Sequence, residues 1–188
     1  MMLKDKSEPL SQDICIVGNA TSLLEKNYGN MIDQHTSVVR LNKGFPQKKE
    51  SQGKKTTLVG TSCPISWLSF RWYFGKCPLM WMSPSQEYFP KWVTKQKNFS
   101  RYPKERWEAL SQRLGGKRPS TGAMMIDYIC NVINPDHLRI YGFDFKSSDT
   151  LFKKKQNLGP HDWVAEQKFT QSIIIQGKKL GKDWDIVP

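Results

Sequence analysis

Along the first sixty residues, short apolar runs rich in β-branched side chains alternate with small polar turns. Ile14-Cys15-Ile16-Val17 runs into Gly18-Asn19 and then Ala20-Thr21-Ser22-Leu23-Leu24, which predicts a strand, a tight turn and a helix start. Ser37-Val38-Val39-Arg40-Leu41 predicts a second strand ending at Asn42, and Thr56 to Val59 a third ending in Gly60-Thr61-Ser62. Strands that recur with helical stretches between them predict an α/β fold, a mainly parallel central sheet flanked by helices. In such sheets ligands bind beyond the carboxyl ends of the strands, where all three of these runs end in small polar residues.

Residues 64 to 113 carry many aromatic side chains, among them Trp67, Trp72, Trp81, Trp92 and Trp107. Leu79 to Met82 predicts a strand, and Gln86 to Lys97 and Pro103 to Leu114 predict helices. Gly115-Gly116-Lys117-Arg118-Pro119 breaks the pattern, after which Ser120-Thr121-Gly122 opens a helix expected to reach about Asn134. Leu138 to Tyr141 predicts the next strand, ending in Gly142-Phe143-Asp144. A helix from about Asp162 to Gln176 and a short strand at Asp185 to Val187 close the chain. The organisation read from this is a flexible segment over residues 1–12 and one domain over 13–188, with 145–160 as a mobile lid loop.

A chain of 188 residues with 38% hydrophobic content buries one core. Its formal charge of +12 makes polyanions attractive partners, whether nucleotide, anionic glycan, membrane surface or nucleic acid. No recognisable nucleic-acid-binding motif accompanies that charge, so nucleic acid is not the expected partner. No apolar run near the start approaches the length of a transmembrane segment, which predicts a cytoplasmic protein, or one trimmed of its anchor, with a basic surface suited to peripheral contact with a membrane. Cys15, Cys63, Cys77 and Cys130 lack metal-ligand spacing, and the three histidines are not within ligand spacing of one another. No metal site is expected.

Three places carry chemistry. At the first turn, Gly18 lets the backbone approach a ligand, Asn19 offers a donor and an acceptor, and Thr21 or Ser22 caps a helix whose free N–H groups face an anion. The second is Arg118-Pro119-Ser120-Thr121-Gly122, where two hydroxyls and a glycine open a helix behind an arginine able to grip a carboxylate or phosphate. The third is His161, at the mouth of the last helix, where an imidazole with an ordinary pKa near ~6.5 can act as a general base. Glu166, on the same helix, reads as a residue that orients or caps the loop, and Asp144 as a turn residue.

In wording and order these segments resemble the sialyltransferases of glycosyltransferase family 29. Ile14 to Asn19 continuing to Val38-Val39-Arg40-Leu41-Asn42 is similar to the long sialylmotif, and Pro119-Ser120-Thr121-Gly122 through Ile140-Tyr141-Gly142-Phe143 to the small one. His161 to Glu166 has the H-x4-E spacing of the very small motif. Arg118 and Gly142-Phe143-Asp144-Phe145 also resemble features of the bacterial family 42 enzymes. The resemblance implies a variant of the GT-A fold, Rossmann-like, using a CMP-activated sialic acid and a glycan acceptor, with inversion and without metal or other cofactor. It assigns Gly18, Asn19 and Asn42 to the nucleotide, Ser120, Thr121 and Gly122 to ribose, phosphate or sugar carboxylate, Gly142 to the cytosine side, and His161 as base. Arg118 would orient the carboxylate.

Two departures stand out. The animal enzymes have a further His-containing motif between the small and very small ones, whereas residues 145–160 hold no His or Tyr, leaving Lys153, Lys154 and Lys155 to stabilise the leaving phosphate. Cys15 and Cys130 are out of register with the cysteines that link the two motifs there, so no bridge is expected. Rival readings are a transferase of another CMP-activated acid sugar such as Kdo, a nucleotide-binding homologue without turnover, and a basic nucleic-acid-binding module.

Overall fold

The first strand forms where the sequence turns wholly apolar: Ile14, Cys15, Ile16 and Val17 are all buried, alternating between the two faces of one sheet. The computed structural model describes residues 11–84, 89–151 and 159–188. Its strands are β1 (Asp13–Val17), β2 (Ser37–Leu41), β3 (Leu58–Thr61), β4 (Leu79–Trp81), β5 (Phe99–Arg101), β6 (His137–Tyr141) and β7 (Asp183–Val187). They form one sheet in the order β5-β4-β3-β2-β1-β6-β7, and every adjacent pair is parallel. The chain builds outward from β1 on one side and then returns to add β6 on the other, so the order reverses between β1 and β6. That reversal opens a crevice at the carboxyl ends of these two strands.

The helices are α1 (Gly29–Gln34), α2 (Lys49–Gln52), α3 (Trp67–Phe74), α4 (Lys104–Arg113), α5 (Thr121–Tyr128) and α6 (Trp163–Lys179). Ile14, Ile16, Val39, Leu138 and Ile140 face α4, α5 and α6, which contribute Leu110, Met125, Ile126, Phe169 and Ile173 to the larger core. The opposite face packs on α1 through Ile32 and on α3 through Phe70 and Phe74. The result is three layers, helices on both faces of a parallel sheet. Cys15 lies in the α1-side core and Cys130 in the α5-side core, so the sheet itself separates them and no bridge can form.

Two local expectations are corrected, one unread strand is added and one expected helix is refined at its end. The segment after β1 is a 3-10 turn over Thr21–Glu25 that no side chain caps. The Thr21 hydroxyl instead donates to the Asp149 carbonyl (3.1 Å) and the Ser22 hydroxyl to Asp144 (3.4 Å). Of the helix expected over 86–97, residues 86–88 lie outside the described residues; the rest holds only a 3-10 turn at Val93–Lys95, because Pro90 has no N–H and confines the residue before it. β5 follows it, too short and half-exposed to read as a strand. The helix expected from Ser120 to about Asn134 does form, but its end, Ile129–Ile133, is π-helical before Asn134 turns left-handed at φ 52°.

Candidate active site

The turn after β1 and the turn after β6 are locked together. The Gly18 N–H donates to the Tyr141 carbonyl (2.7 Å) and the Ala20 N–H to the Gly142 carbonyl (3.2 Å). A Cβ on Gly18 would run into the Gly142 carbonyl and the Phe143 ring, and one on Gly122 into the same ring. Gly142 itself adopts φ +67°, the left-handed region. These glycines therefore have a packing role: they let two strand ends and the α5 N-terminus meet.

Where they meet, a cleft opens over the β1/β6 reversal. Of the residues singled out from the sequence, Gly18, Asn19, Asn42, Ser120, Thr121, Gly122, Gly142 and His161 line it. Asn42 sits at φ 51°, a conformation asparagine tolerates well, with its Oδ1 accepting the Ser62 N–H (2.9 Å) and the Thr121 hydroxyl (3.3 Å). Asn19 donates through Nδ2 to the Leu41 carbonyl (3.0 Å), while its Oδ1 is buried and accepts nothing among the described residues. A buried acceptor in this state is costly. Arg40 points elsewhere: its guanidinium donates to the Gln52 carbonyl (2.8 Å) and the Thr56 hydroxyl (3.0 Å), tying β2 to the segment before β3.

His161 stands just before α6, whose N-terminus Asp162 caps by accepting the Ala165 N–H (2.9 Å). The His161 Nδ1 is 2.8 Å from the Arg118 carbonyl, which can only accept, so Nδ1 carries the proton and the basic lone pair lies on Nε2. Of the residues singled out from the sequence, Arg118 does not line the cleft. Its main-chain carbonyl, not its guanidinium, reaches the site; the side chain is exposed and is not part of the cleft lining.

Glu166 is 2% exposed and grips the start of α5, accepting the Ser120 N–H (2.7 Å) and the Ser120 hydroxyl (2.5 Å). The same Ser120 Oγ caps α5 by accepting the Ala123 N–H (3.1 Å). One carboxyl thus joins the His161 segment to the Ser120 segment. Burial pushes it up from 4.5 to about 7, against the pull of the two Ser120 hydrogen bonds. Because the folded-state value is raised, this group's stabilisation is full below the ordinary carboxyl range and is lost as pH rises towards 7. Glu166→Gln keeps an acceptor for the Ser120 N–H and cannot ionise. Its unfolding free energy is expected to lose a pH dependence on the order of 3 kcal/mol between about pH 4.5 and 7, checked by denaturant unfolding across that range.

The structure adds a residue the sequence reading missed. Lys146 lines the cleft at 7% exposure, rare for a lysine. It is held there by two successive left-handed residues, Phe145 (φ 51°) and Lys146 (φ 68°). Asp144 caps the turn, accepting the Lys146 (3.1 Å) and Ser148 (2.9 Å) N–H groups, in keeping with its reading as a turn residue. The Thr21 N–H donates to the Asp149 carbonyl and the Leu151 N–H to the Asn19 carbonyl (both 2.9 Å), fastening residues 145–151 onto the β1 turn. The only signal in the sequence was the position of Lys146 directly after Gly142-Phe143-Asp144-Phe145. Lys153, Lys154 and Lys155 lie outside the described residues.

Residues 2–77 match the family model for glycosyltransferase family 29 (sialyltransferase). That match takes in the long-motif segment; the Ser120 and His161 segments lie beyond it. No curated protein sequence matches the chain. Among solved structures it is similar to a mammalian sialyltransferase in complex with Gal-beta-1-3GalNAc-ortho-nitrophenol, with TM-score 0.67 and 20% identity over 94% of this chain and 69% of that one. It is also similar to the sialyltransferase CstII from Campylobacter jejuni in complex with the substrate analogue CMP-3FNeuAc, with TM-score 0.59 and 15% identity over 93% and 81% of the two chains. A third is the apo form of an alpha-2,3-sialyltransferase from Campylobacter jejuni, with TM-score 0.54 and 17% identity over 99% and 79%. The fold is that of the sialyltransferases, and the resemblance carried by the long-motif segment agrees with the family match.

Proposed function

We propose that the protein is a metal-independent, inverting glycosyltransferase that moves sialic acid, or a related acid sugar, from a CMP-activated donor to a hydroxyl of a glycan acceptor. One observation carries the reading. Segments up to 143 residues apart in sequence, from Gly18 to His161, converge on a single cleft at the switch point of the sheet. The family match over the first of these segments and the fold shared with sialyltransferases support the substrate class.

In this reading the nucleotide lies across the β1 and β6 turns, with the orphaned Asn19 Oδ1 taking a donor from it and the Ser120-Thr121-Gly122 turn holding the anionic part of the sugar nucleotide. The acceptor hydroxyl passes its proton to His161 Nε2 as its oxygen bonds the anomeric carbon. The bond from that carbon to the phosphate oxygen breaks, its electron pair staying on the phosphate. Positive charge develops on the sugar and negative charge on the leaving group. The Lys146 ammonium, on a side chain buried in the cleft wall, meets that negative charge. Glu166 acts through Ser120 as the brace that keeps the α5 and α6 starts in register.

Calorimetry with cytidine monophosphate tests the reading. Binding is expected with the same affinity in EDTA as without it, and donor hydrolysis and transfer are expected to be equally indifferent to EDTA. Absence of CMP binding would overturn the function; binding abolished by EDTA would overturn the metal-free chemistry alone.

A further inference from the structure

Helix α3 is anchored from beneath by Phe70 and Phe74, which pack with Val59, Leu79 and Val93. Its outer surface is left to solvent: Trp72 is 84% exposed, Leu68 72%, Trp67 51% and Tyr73 44%. Four of the nine large exposed hydrophobics among the described residues thus lie on one eight-residue helix. Single exposed apolar side chains are ordinary; two tryptophans, a leucine and a tyrosine together are an interaction surface.

The charge around this surface has one sign. Residues 51–104 hold nine Lys and Arg and one acidic residue, Glu87. Lys76 follows the helix and is exposed; Lys91 and Lys95, also exposed, flank Trp92, whose ring packs on Phe70 at 5.2 Å. Tyr73 stacks on Phe45 at 4.2 Å, so the loop after β2, with exposed Lys43, borders the other side. A second copy docking through a twofold axis would bring two such rings of cations together, which argues against self-association. Indole and phenol rings with lysines at their margin match the interfacial zone of a bilayer, where aromatic rings sit at headgroup level and ammonium groups reach anionic lipids.

We infer that α3 is a membrane-docking surface, inserting Trp67, Leu68 and Trp72 into the headgroup region of an anionic bilayer while Lys43, Lys76, Lys91 and Lys95 pair with lipid phosphates and carboxylates. Among the described residues no helix is long and apolar enough to cross a membrane, so the contact is peripheral. The segment that leads to the docked face starts at the cleft wall. The loop that leads from β3 into α3 begins at Ser62, whose Oγ accepts the Thr121 hydroxyl at the cleft wall (2.8 Å). Acceptors displayed from the lipid surface are thereby brought near the site. The inference does not depend on the identity of the sugar donor.

Co-sedimentation of the full 188-residue chain with vesicles tests it. Wild type is expected to pellet with phosphatidylcholine vesicles containing phosphatidylserine, with a blue-shifted tryptophan emission. The triple variant Trp67→Ser, Leu68→Ser, Trp72→Ser should bind about tenfold or more weakly at unchanged salt. Trp72→Ser alone, at the most exposed position, guards against a folding defect and should lower binding in the same direction. Lys76→Glu with Lys91→Glu should weaken binding to the anionic vesicles and leave any binding to pure phosphatidylcholine unaltered. Failure of wild type to bind vesicles overturns the proposal. So does equal binding by wild type and the triple variant, or conversion by that variant of a dimer to a monomer.

Discussion

Replacing His161 by alanine is expected to lower the rate of sugar transfer about 10²–10⁴-fold, the range for loss of a positioned general base, while CMP affinity stays close to that of wild type. The reason lies in how the ring is held. Its Nδ1–H is committed to the Arg118 main-chain carbonyl at 2.8 Å, so Nε2 is the basic atom whatever side chain occupies position 118. The ring also packs edge-on to Trp163, with centroids 5.1 Å apart. In the proposed mechanism a group fixed in this way acts on the acceptor proton and not on the nucleotide. Binding by calorimetry and transfer by steady-state kinetics should therefore separate in the variant, and the acid limb of its pH–rate profile should flatten. Unchanged transfer would remove His161 from the mechanism without touching the nucleotide site; loss of CMP binding would show that the residue serves the donor instead.

Lys146→Met is expected to lower kcat about 10²–10³-fold with a much smaller change in KM, because a charge that meets the departing phosphate acts most strongly in the transition state. Methionine keeps the length of the stem and removes only the ammonium, and Lys146→Arg should recover part of the lost rate. Transfer and donor hydrolysis break the same carbon–oxygen bond to the phosphate, so both should fall by similar factors. A change in KM alone would make Lys146 a ground-state binding residue. The position at φ 68° favours asparagine and glycine over other residues, which makes a buried lysine there conspicuous. Its backbone strain is held by the Asp144 cap and by the hydrogen bonds that fasten residues 149–151 to the β1 turn.

The fold was legible because local physics dominates in its centre. The run Ile14 to Val17 is apolar on both faces, and only a strand buried in a parallel sheet has a use for that pattern. At the periphery that signal fades. β5 has only intermediate or exposed residues, α1 and α2 are four to six residues long, and the turn after β1 spends its hydroxyls on a distant loop instead of capping a helix. Contacts with remote segments decide such elements, and no short window of sequence contains them.

The site divides along the same line. Turn chemistry picked out Gly18, Asn19, Ser120, Thr121, Gly122 and His161, because glycines, hydroxyls and amides at strand ends and helix starts point to a ligand, and the family resemblance added Asn42 and Gly142. Tertiary structure decided what each of them does there. It showed the glycines bringing two turns and a helix start together, Asn19 left with an unmet acceptor, and Glu166 bracing Ser120 from another helix. It also set the Arg118 carbonyl against His161 and buried Lys146 in the cleft wall. Burial and hydrogen-bond partnership are properties of pairs of residues brought together by the sheet, and a linear order of side chains holds neither.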